Sequence, residues 1–557
     1  ELIVGHVTSD SARIWVRGDW RNPCLRVELE RQGPGEGPER IVRHVWVNPW
    51  RDYTAVEHLR GVLEPCTTYA VQLRCLSSAT KVDGQLRTFP KEGSPLGFHF
   101  LHGSCNLPGA RLTALGSMAA GLVGAAATDQ ALKLPREDWD TDILSSAFFR
   151  WLSFPGVHLA SRPVFRFMNY LVSSFVRQTR YEQQKSLLAS PFEAVVTSIE
   201  SETDPRGRPA FMIHCGDQIY VDVDFPKRGN DVKHYRRNYR QAWFEDDGAR
   251  RLLSQLPHYM ILDDHELWDS FGTERDGEAE ARRKPALAAY DEYVASRQPQ
   301  QPTPGERYYR FEHGDSRFFV LDTRTERTRP EGDAPGRMIG NRQMDALDAW
   351  LQEEGDGPRF IVSSVPFVAE LRPPGLDSKG VRRADERADK WSAPSWRGQR
   401  EAIIARIYEY GVERLVFLVG DMHCTYHATM QLGGPRRRFT IHELAGGPFN
   451  QLQFAERHQF YSRYTGSFAP LGTSSEEDRL PSVSTMQAFH GAAPSVLEVS
   501  VAPREENAPP RVDWRALRTH APARTNGSTK QPPPNPHDLC GTINFHRRPV
   551  GARNGAG

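Results

Sequence analysis

The sequence predicts an α/β layered domain preceded by a small β-sandwich, and three observations carry that fold class. Apolar runs that end in glycine, acidic residues and histidine recur at 98–105, 211–217, 258–266 and 414–423, as buried strands do. Stretches of helical period separate them, as at 233–255 and 342–353. Residues before about 90 instead alternate with a period of two between turn residues, and no internal repeat interrupts either pattern.

In chain order, the segments 12–16, 25–29, 41–47 and 68–75 alternate apolar and polar residues between Gly, Pro and Asn, so residues 1–92 are read as the sandwich. A layered domain is expected over 93–485. Its first strand leads through Leu101 and His102 into Gly103, Ser104 and Cys105, and the next ends in Gly216, Asp217 and Tyr220. Cys105 and Asp217 stand 112 positions apart, where a strand–helix–strand crossover needs only a few dozen residues, so about 107–207 is read as a helical insertion. Within it, 143–180 interleaves Trp151, Phe167, Tyr170, Leu171 and Phe175 with Arg150, Arg162, Arg166 and Arg177. That pattern fits amphipathic helices that either pack on the core or form an apolar approach for a greasy substrate.

Further on, 233–255 reads as one crossover helix and 285–293 as a second, with Pro285 in its first turn. Strands are expected at 317–322, 359–365 and 439–444, and helices at 342–353 and 398–409. The chain beyond 485 is expected to add one strand at 495–501. After Thr519 a tail rich in Pro, Gly and Asn follows.

The 557 residues carry 71 Lys plus Arg against 70 Asp plus Glu, a balance of +1 that gives no global attraction to nucleic acid. Seven cysteines show no CxxC spacing, and Cys24, Cys66 and Cys75 are near enough in sequence for an N-terminal disulfide. No run of about 18 apolar residues suggests a spanning helix, and no leader is visible in the chain given.

Four strand ends carrying oxygen, sulfur and imidazole donors imply a metal centre beyond the carboxyl ends of a sheet. Asp217 is placed to bridge two ions. Cys105, Tyr220 and His423 would complete one set of ligands, in which thiolate and phenolate favour ferric iron. Asp264 and Asp421 would complete the other, and an oxygen-only set suits a hard cation such as Ca²⁺ or Mg²⁺. Whether Asp421, His423 or both reach metal stays open at this point. His265, directly after Asp264, is the candidate general acid, and Arg324 at the end of 318–322 could clamp a phosphate oxygen.

Gly-Ser-Cys at 103–105, Gly-Asp-Gln-Ile-Tyr at 216–220, Asp-Asp-His-Glu at 263–266, Leu-Asp-Thr-Arg at 321–324 and Gly-Asp-Met-His at 420–423, in this order, resemble the alkaline phosphatase D (PhoD-like) family of metallophosphatases. The resemblance covers roughly 1–106 and 208–450. It implies a layered metallophosphatase β-sheet sandwich flanked by helices, a fibronectin-like N-terminal domain, and hydrolysis of phosphate mono- and diesters by a metal-activated hydroxide. It further implies His265 assisting the leaving group, Fe³⁺ with Ca²⁺ as cofactors (Mg²⁺, Mn²⁺ or Zn²⁺ as alternatives for the second ion), and export from the cytoplasm. Unlike many metallophosphatases, the chain has no histidine at 361–366, where Ser363 and Ser364 stand. The alternatives are a phospholipase-like diesterase, favoured by contact of the aromatic insertion with lipid, and a non-catalytic scaffold. A monomer acting on a phosphate ester is the expected state.

Overall fold

The computed structural model describes residues 1–107, 192–223, 231–269, 271–272, 277–301, 303–331, 334–372, 389–434, 437–450, 459–473, 475–490, 495–505, 508–518 and 539–545. The aromatic stretch 143–180, and with it the expectation of a lid or apolar approach, lies outside these residues.

The N-terminal sandwich forms where period-two alternation predicts it. Strands β1 (Leu2–Val7), β2 (Ala12–Arg17) and β5 (Thr54–Leu59) make one antiparallel sheet. Strands β3 (Cys24–Gln32), β4 (Arg40–Trp46), β6 (Thr68–Cys75) and β7 (Lys81–Arg87) make the other. Val4, Ile14 and Val16 from the first sheet and Val27, Leu29 and Val71 from the second are buried in one core. Cys24, Cys66 and Cys75 are free thiols, so no disulfide closes this domain.

Two larger sheets follow. Strands β8 (Phe98–Gly103), β9 (Met212–Cys215) and β10 (His258–Ile261) are parallel neighbours. Strands β19 (Ser495–Val501), β20 (Arg511–Arg518) and β21 (Cys540–Asn544) extend the same sheet on the far side of β8. The segment expected to add one C-terminal strand sits in the middle of a sheet, with Val499 opposite Phe100. The second sheet runs β11 (Tyr309–His313), β12 (Ser316–Val320), β13 (Arg359–Ser363), β14 (Leu415–Val419), β16 (Arg438–Ala445), β15 (Thr425–Gly433), β18 (Leu480–His490) and β17 (Arg463–Phe468) in spatial order.

Apolar residues of strands buried on both faces explain the layering. Phe100, Phe211 and Ile261 of the first sheet meet Phe311, Phe318 and Phe360 of the second in one core. There Phe311, Phe318 and Phe360 stack with centroids 4.5 and 4.7 Å apart. On the outside, α5 (Asn341–Gln352) and α6 (Pro394–Tyr410) bury Leu347, Trp350, Ile403 and Ile407 against the eight-stranded sheet. On the opposite side lie α1 (Glu193–Ser201), α2 (Val232–Trp243), α3 (Asp247–Gln255) and α4 (Gly277–Tyr293). The single helix expected at 233–255 is two, because the Asp246 carboxylate accepts the Ala249 N–H at 2.8 Å and starts α3. Pro285 lies inside α4 and not in its first turn.

Buried histidines tie stability to pH. The His258 Nε2–H donates to the Leu252 carbonyl at 3.1 Å, which leaves Nδ1 to accept from His214 Nε2 at 3.0 Å. Burial pushes His258 and His313 down to about 3 and His214 well below its usual value. The unfolded chain takes up these protons near pH 6.5 and the native chain does not, so each group is neutral to stability above about pH 7. Below that, each should cost about 1.4 kcal/mol per pH unit as pH falls towards 3. Urea midpoints measured between pH 7 and 5 should show the loss, and His313→Gln should make it shallower.

Candidate metal centre

The strand tips that carry donors meet where the two sheets touch. Gly420, after β14, lies against β8 and β9: a Cβ there would sit 2.6 Å from the Ser104 Cβ and 2.7 Å from the Cys215 carbonyl oxygen. Gly216 has φ +95°, and a Cβ on it would sit 2.3 Å from that of Asp263. Only glycine lets the four tips converge this closely.

The donors themselves are held in costly backbone conformations. Seven non-glycine residues among those described have positive φ, and four of them are Cys105 (61°), Asp217 (56°), Asp421 (68°) and His423 (50°). Each costs about 1–3 kcal/mol, and such strain concentrates at functional sites. Glu266 braces two of the tips: its buried carboxylate accepts the N–H groups of Asp217 at 3.0 Å, Gln218 at 2.5 Å and Asp263 at 2.7 Å. That occupation makes it a support for the backbone and not a ligand.

Asp217 stands at the centre of two groups of donors, each group with its ligand atoms within 4.8 Å of one another. One is Cys105, Asp217 and His423; the other is Asp217, Asp263, Asp264 and Asp421, with His265 also near Asp217 and Asp264. Cys105 Sγ is 3.4 Å from Asp217 Oδ2, the Tyr220 hydroxyl donates to the same oxygen at 3.2 Å, and that hydroxyl is 3.3 Å from His423 Nε2. Thus Asp421 and His423, two residues apart, fall in different groups. Every residue that the sequence nominates as a ligand comes to this one place. Asp263 joins it, and Ser364, just after the strand that lacks histidine, donates to Asp263 Oδ1 at 2.6 Å.

The electrostatics fit a multivalent cation. Asp263 Oδ2 is buried without a hydrogen-bond partner. Burial, together with the neighbouring carboxylates, raises Asp217 well above the usual carboxylate range and Asp421 to about 7. Burial first, then Asp217, raises the Cys105 thiol. Burial, then the positive charges of His265 and Lys390, lowers His423 to about 3 and keeps its ring neutral, the form that ligates. Acidic and thiol groups that resist ionising together are what a bound metal ion discharges.

His265 sits beside the groups on a different footing. Its Nδ1 is 2.8 Å from Asp222 Oδ2 and 2.9 Å from Oδ1, and its ring lies against Tyr220 with centroids 4.2 Å apart. Burial alone would lower its pKa, but Asp222, Asp217 and Asp264 outweigh it and raise it well above the usual histidine range. The ring is held as an imidazolium with Nε2 as its remaining nitrogen.

Arg324 does not stand at a rim where it could clamp a phosphate. Its side chain is fully buried beneath the carboxylates, ion-paired to Asp263, to Asp389 at 2.9 Å and to Asp264 at 3.5 Å. The sequence shows Arg324 at a strand end but not that Asp263 and Asp389 face it from two other segments. Asp389 and its neighbour Lys390 were missed for the same reason: no apolar run or motif precedes them. Lys390 is buried and pairs with Asp389 at 2.9 Å and with Asp421. Arg324→Met should leave Asp263 buried without its cation, and Asp389 with Lys390 alone, and cost about 3–5 kcal/mol. Urea unfolding of the metal-stripped protein measures this, and an unchanged midpoint would refute it.

A layered sandwich with donors at its strand tips, sharing one carboxylate between two groups, defines the metallophosphatase class. A family model described as PhoD-like phosphatase matches residues 191–478, just over half of the chain, and the protein belongs to that family. Among solved structures it is similar to one described as the structure of PhoD, at 16% identity and a TM-score of 0.59, covering 97% of this chain and 88% of that one. A purple acid phosphatase, PPD1, isolated from yellow lupin (Lupinus luteus) seeds aligns at 10% identity and a TM-score of 0.49, over 98% of this chain and 74% of that one. No curated protein matches the chain. The layered fold and the family are those the sequence led us to expect.

Proposed function

We propose that the protein hydrolyses phosphate mono- and diesters at a two-metal centre built around Asp217. The observation that carries this reading is the sharing of Asp217 between two donor groups of different chemistry. Cys105, Tyr220 and His423 would hold Fe³⁺ on one side, since thiolate and phenolate suit that ion. Asp264 and Asp421, with Asp263 behind them, would hold a hard divalent cation, Ca²⁺ before Mg²⁺, Mn²⁺ or Zn²⁺. Such a pair supplies, when bound, water activation and neutralisation of phosphoryl charge.

The chain's own residues do the rest. His265, charged through Asp222, donates a proton to the departing alkoxide. Glu266 and Arg324 fix the tips that carry Asp217, Asp263 and Asp264. Lys390 adds a buried positive charge beside Asp421 and offsets part of the carboxylate excess there. Export from the cytoplasm and a monomeric state complete the reading.

The iron assignment is tested by colour. The protein should show a visible charge-transfer band that Tyr220→Phe bleaches while the fold is kept. A colourless, fully active protein holding only zinc would overturn the assignment.

A further inference from the structure

Outside the metal centre, the most unusual surface among the described residues is at one end of the N-terminal sandwich. Six large hydrophobic side chains are exposed among the described residues, and four of them gather here: Trp20 (69%), Trp46 (72%), Trp50 (88%) and Leu76 (56%). Trp46 ends β4, and the others come from the loops at 18–23, 47–53 and 76–80, which touch one another. Trp46 pairs with Cys24 across β3 and β4, Val47 N–H donates to the Pro23 carbonyl at 2.9 Å, Gly18 N–H to the Tyr53 carbonyl at 3.0 Å, and the Ser77 hydroxyl to the Arg21 carbonyl at 3.3 Å.

Two of these indoles, Trp20 and Trp50, are held out on stiff turns, and Trp46 on the end of β4. The Asp19 carboxylate accepts the N–H groups of Arg21 and Asn22 at 2.8 Å, and the Asn48 side chain accepts the Trp50 N–H at 2.9 Å. Thr54 closes the second turn onto the Arg51 carbonyl at 2.7 Å. A turn that fixes a tryptophan in water gains nothing locally, so its stabilisation must come from an occupant.

Charge selects the occupant. Arg21, Arg51 and Arg74 are exposed on or beside the same loops, with the Arg21 guanidinium 4.9 Å from the Trp20 ring centroid. The nearby acids are already engaged: Asp19 by its turn, and Asp52 by Arg17 at 3.3 Å and by Arg240. An indole seats an apolar ring and a polar N–H at the headgroup level of a bilayer, and arginines beside it favour anionic headgroups.

We propose that the loops bearing Trp20, Trp46, Trp50 and Leu76 dock the protein on an anionic phospholipid surface. The docked end is tied to the rest of the molecule. Arg236 on α2 donates to the Trp50 carbonyl at 2.7 Å, and Asp52 binds Arg240 on α2 and Tyr293 on α4, so docking would orient the catalytic layers at the membrane. The inference stands on this surface alone and does not depend on the identity of the metals.

The test is sedimentation of the full chain with vesicles of phosphatidylcholine containing phosphatidylglycerol, compared with pure phosphatidylcholine. The anionic vesicles should pellet the wild-type protein. Trp20→Ser/Trp46→Ser/Trp50→Ser should weaken partition about tenfold or more, and Arg21→Gln/Arg51→Gln should weaken it on the anionic vesicles only. Brominated lipid should quench wild-type tryptophan fluorescence and spare that of the triple variant. Turnover of a soluble ester and the thermal midpoint should stay unchanged in each. Should the triple variant fail to fold, Trp50→Ser alone, the most exposed of the three, must still lower partition. Absence of wild-type pelleting, partition retained by the variants, or a loss confined to a soluble polysaccharide or protein ligand would overturn the proposal.

Discussion

Asp217→Asn should abolish hydrolysis of every ester, by about 10³-fold or more, and should strip both metal positions together. The size follows from geometry: Asp217 Oδ2 is the atom that Cys105 and Tyr220 approach, while the same carboxylate lies within reach of Asp264 and Asp421. Replacing one ligand of a single ion would cost one ion. Metal analysis beside activity distinguishes the cases, and a variant that keeps one full equivalent of each metal would contradict the shared role. The fold should survive, because Asp217 supports no part of the apolar core.

The second large effect belongs to His265. Its replacement by Ala should slow esters with poor, high-pKa leaving groups by about 10²–10⁴-fold and leave good leaving groups little changed, because only the former need a proton. Asp222 raises the histidine's pKa, so Asp222→Asn should lower it. A general acid must be protonated to act, and the alkaline limb of the pH profile for poor leaving groups should therefore move to lower pH. Equal slowing of both ester classes by His265→Ala would remove the assignment and leave the metal centre standing.

The donors that converge around Asp217 were the ones legible in the sequence. An apolar run ending in Gly-Asp or Gly-Ser-Cys fixes both a strand and the place of its tip, so Cys105, Asp217, Asp264, Asp421 and His423 could be gathered before any coordinates. Asp421 and His423 fall in the different donor groups expected of them, but that both would reach the centre was not legible. It depends on both residues adopting positive φ, which turns neighbouring side chains in directions that no regular period describes. The supporting residues were hidden for another reason. Asp222, Asp389 and Lys390 act through contacts with segments tens of residues away, and Arg324 reads identically whether its guanidinium faces solvent or three buried carboxylates. At the level of the fold, β19 was recognised as a strand, but its place in the sheet was not legible. Its antiparallel pairing with β8 joins residues some four hundred positions apart, and hydropathy carries no information on that partner.

Both expected effects rest on one arrangement, two ions flanking a single carboxylate, and anomalous X-ray diffraction from crystals of the purified protein measures it most directly. Two anomalous peaks should lie on either side of Asp217, the first within bonding distance of Cys105 and His423 and the second of Asp264 and Asp421. A fully active protein whose crystals show a single peak, or peaks away from Asp217, would contradict it.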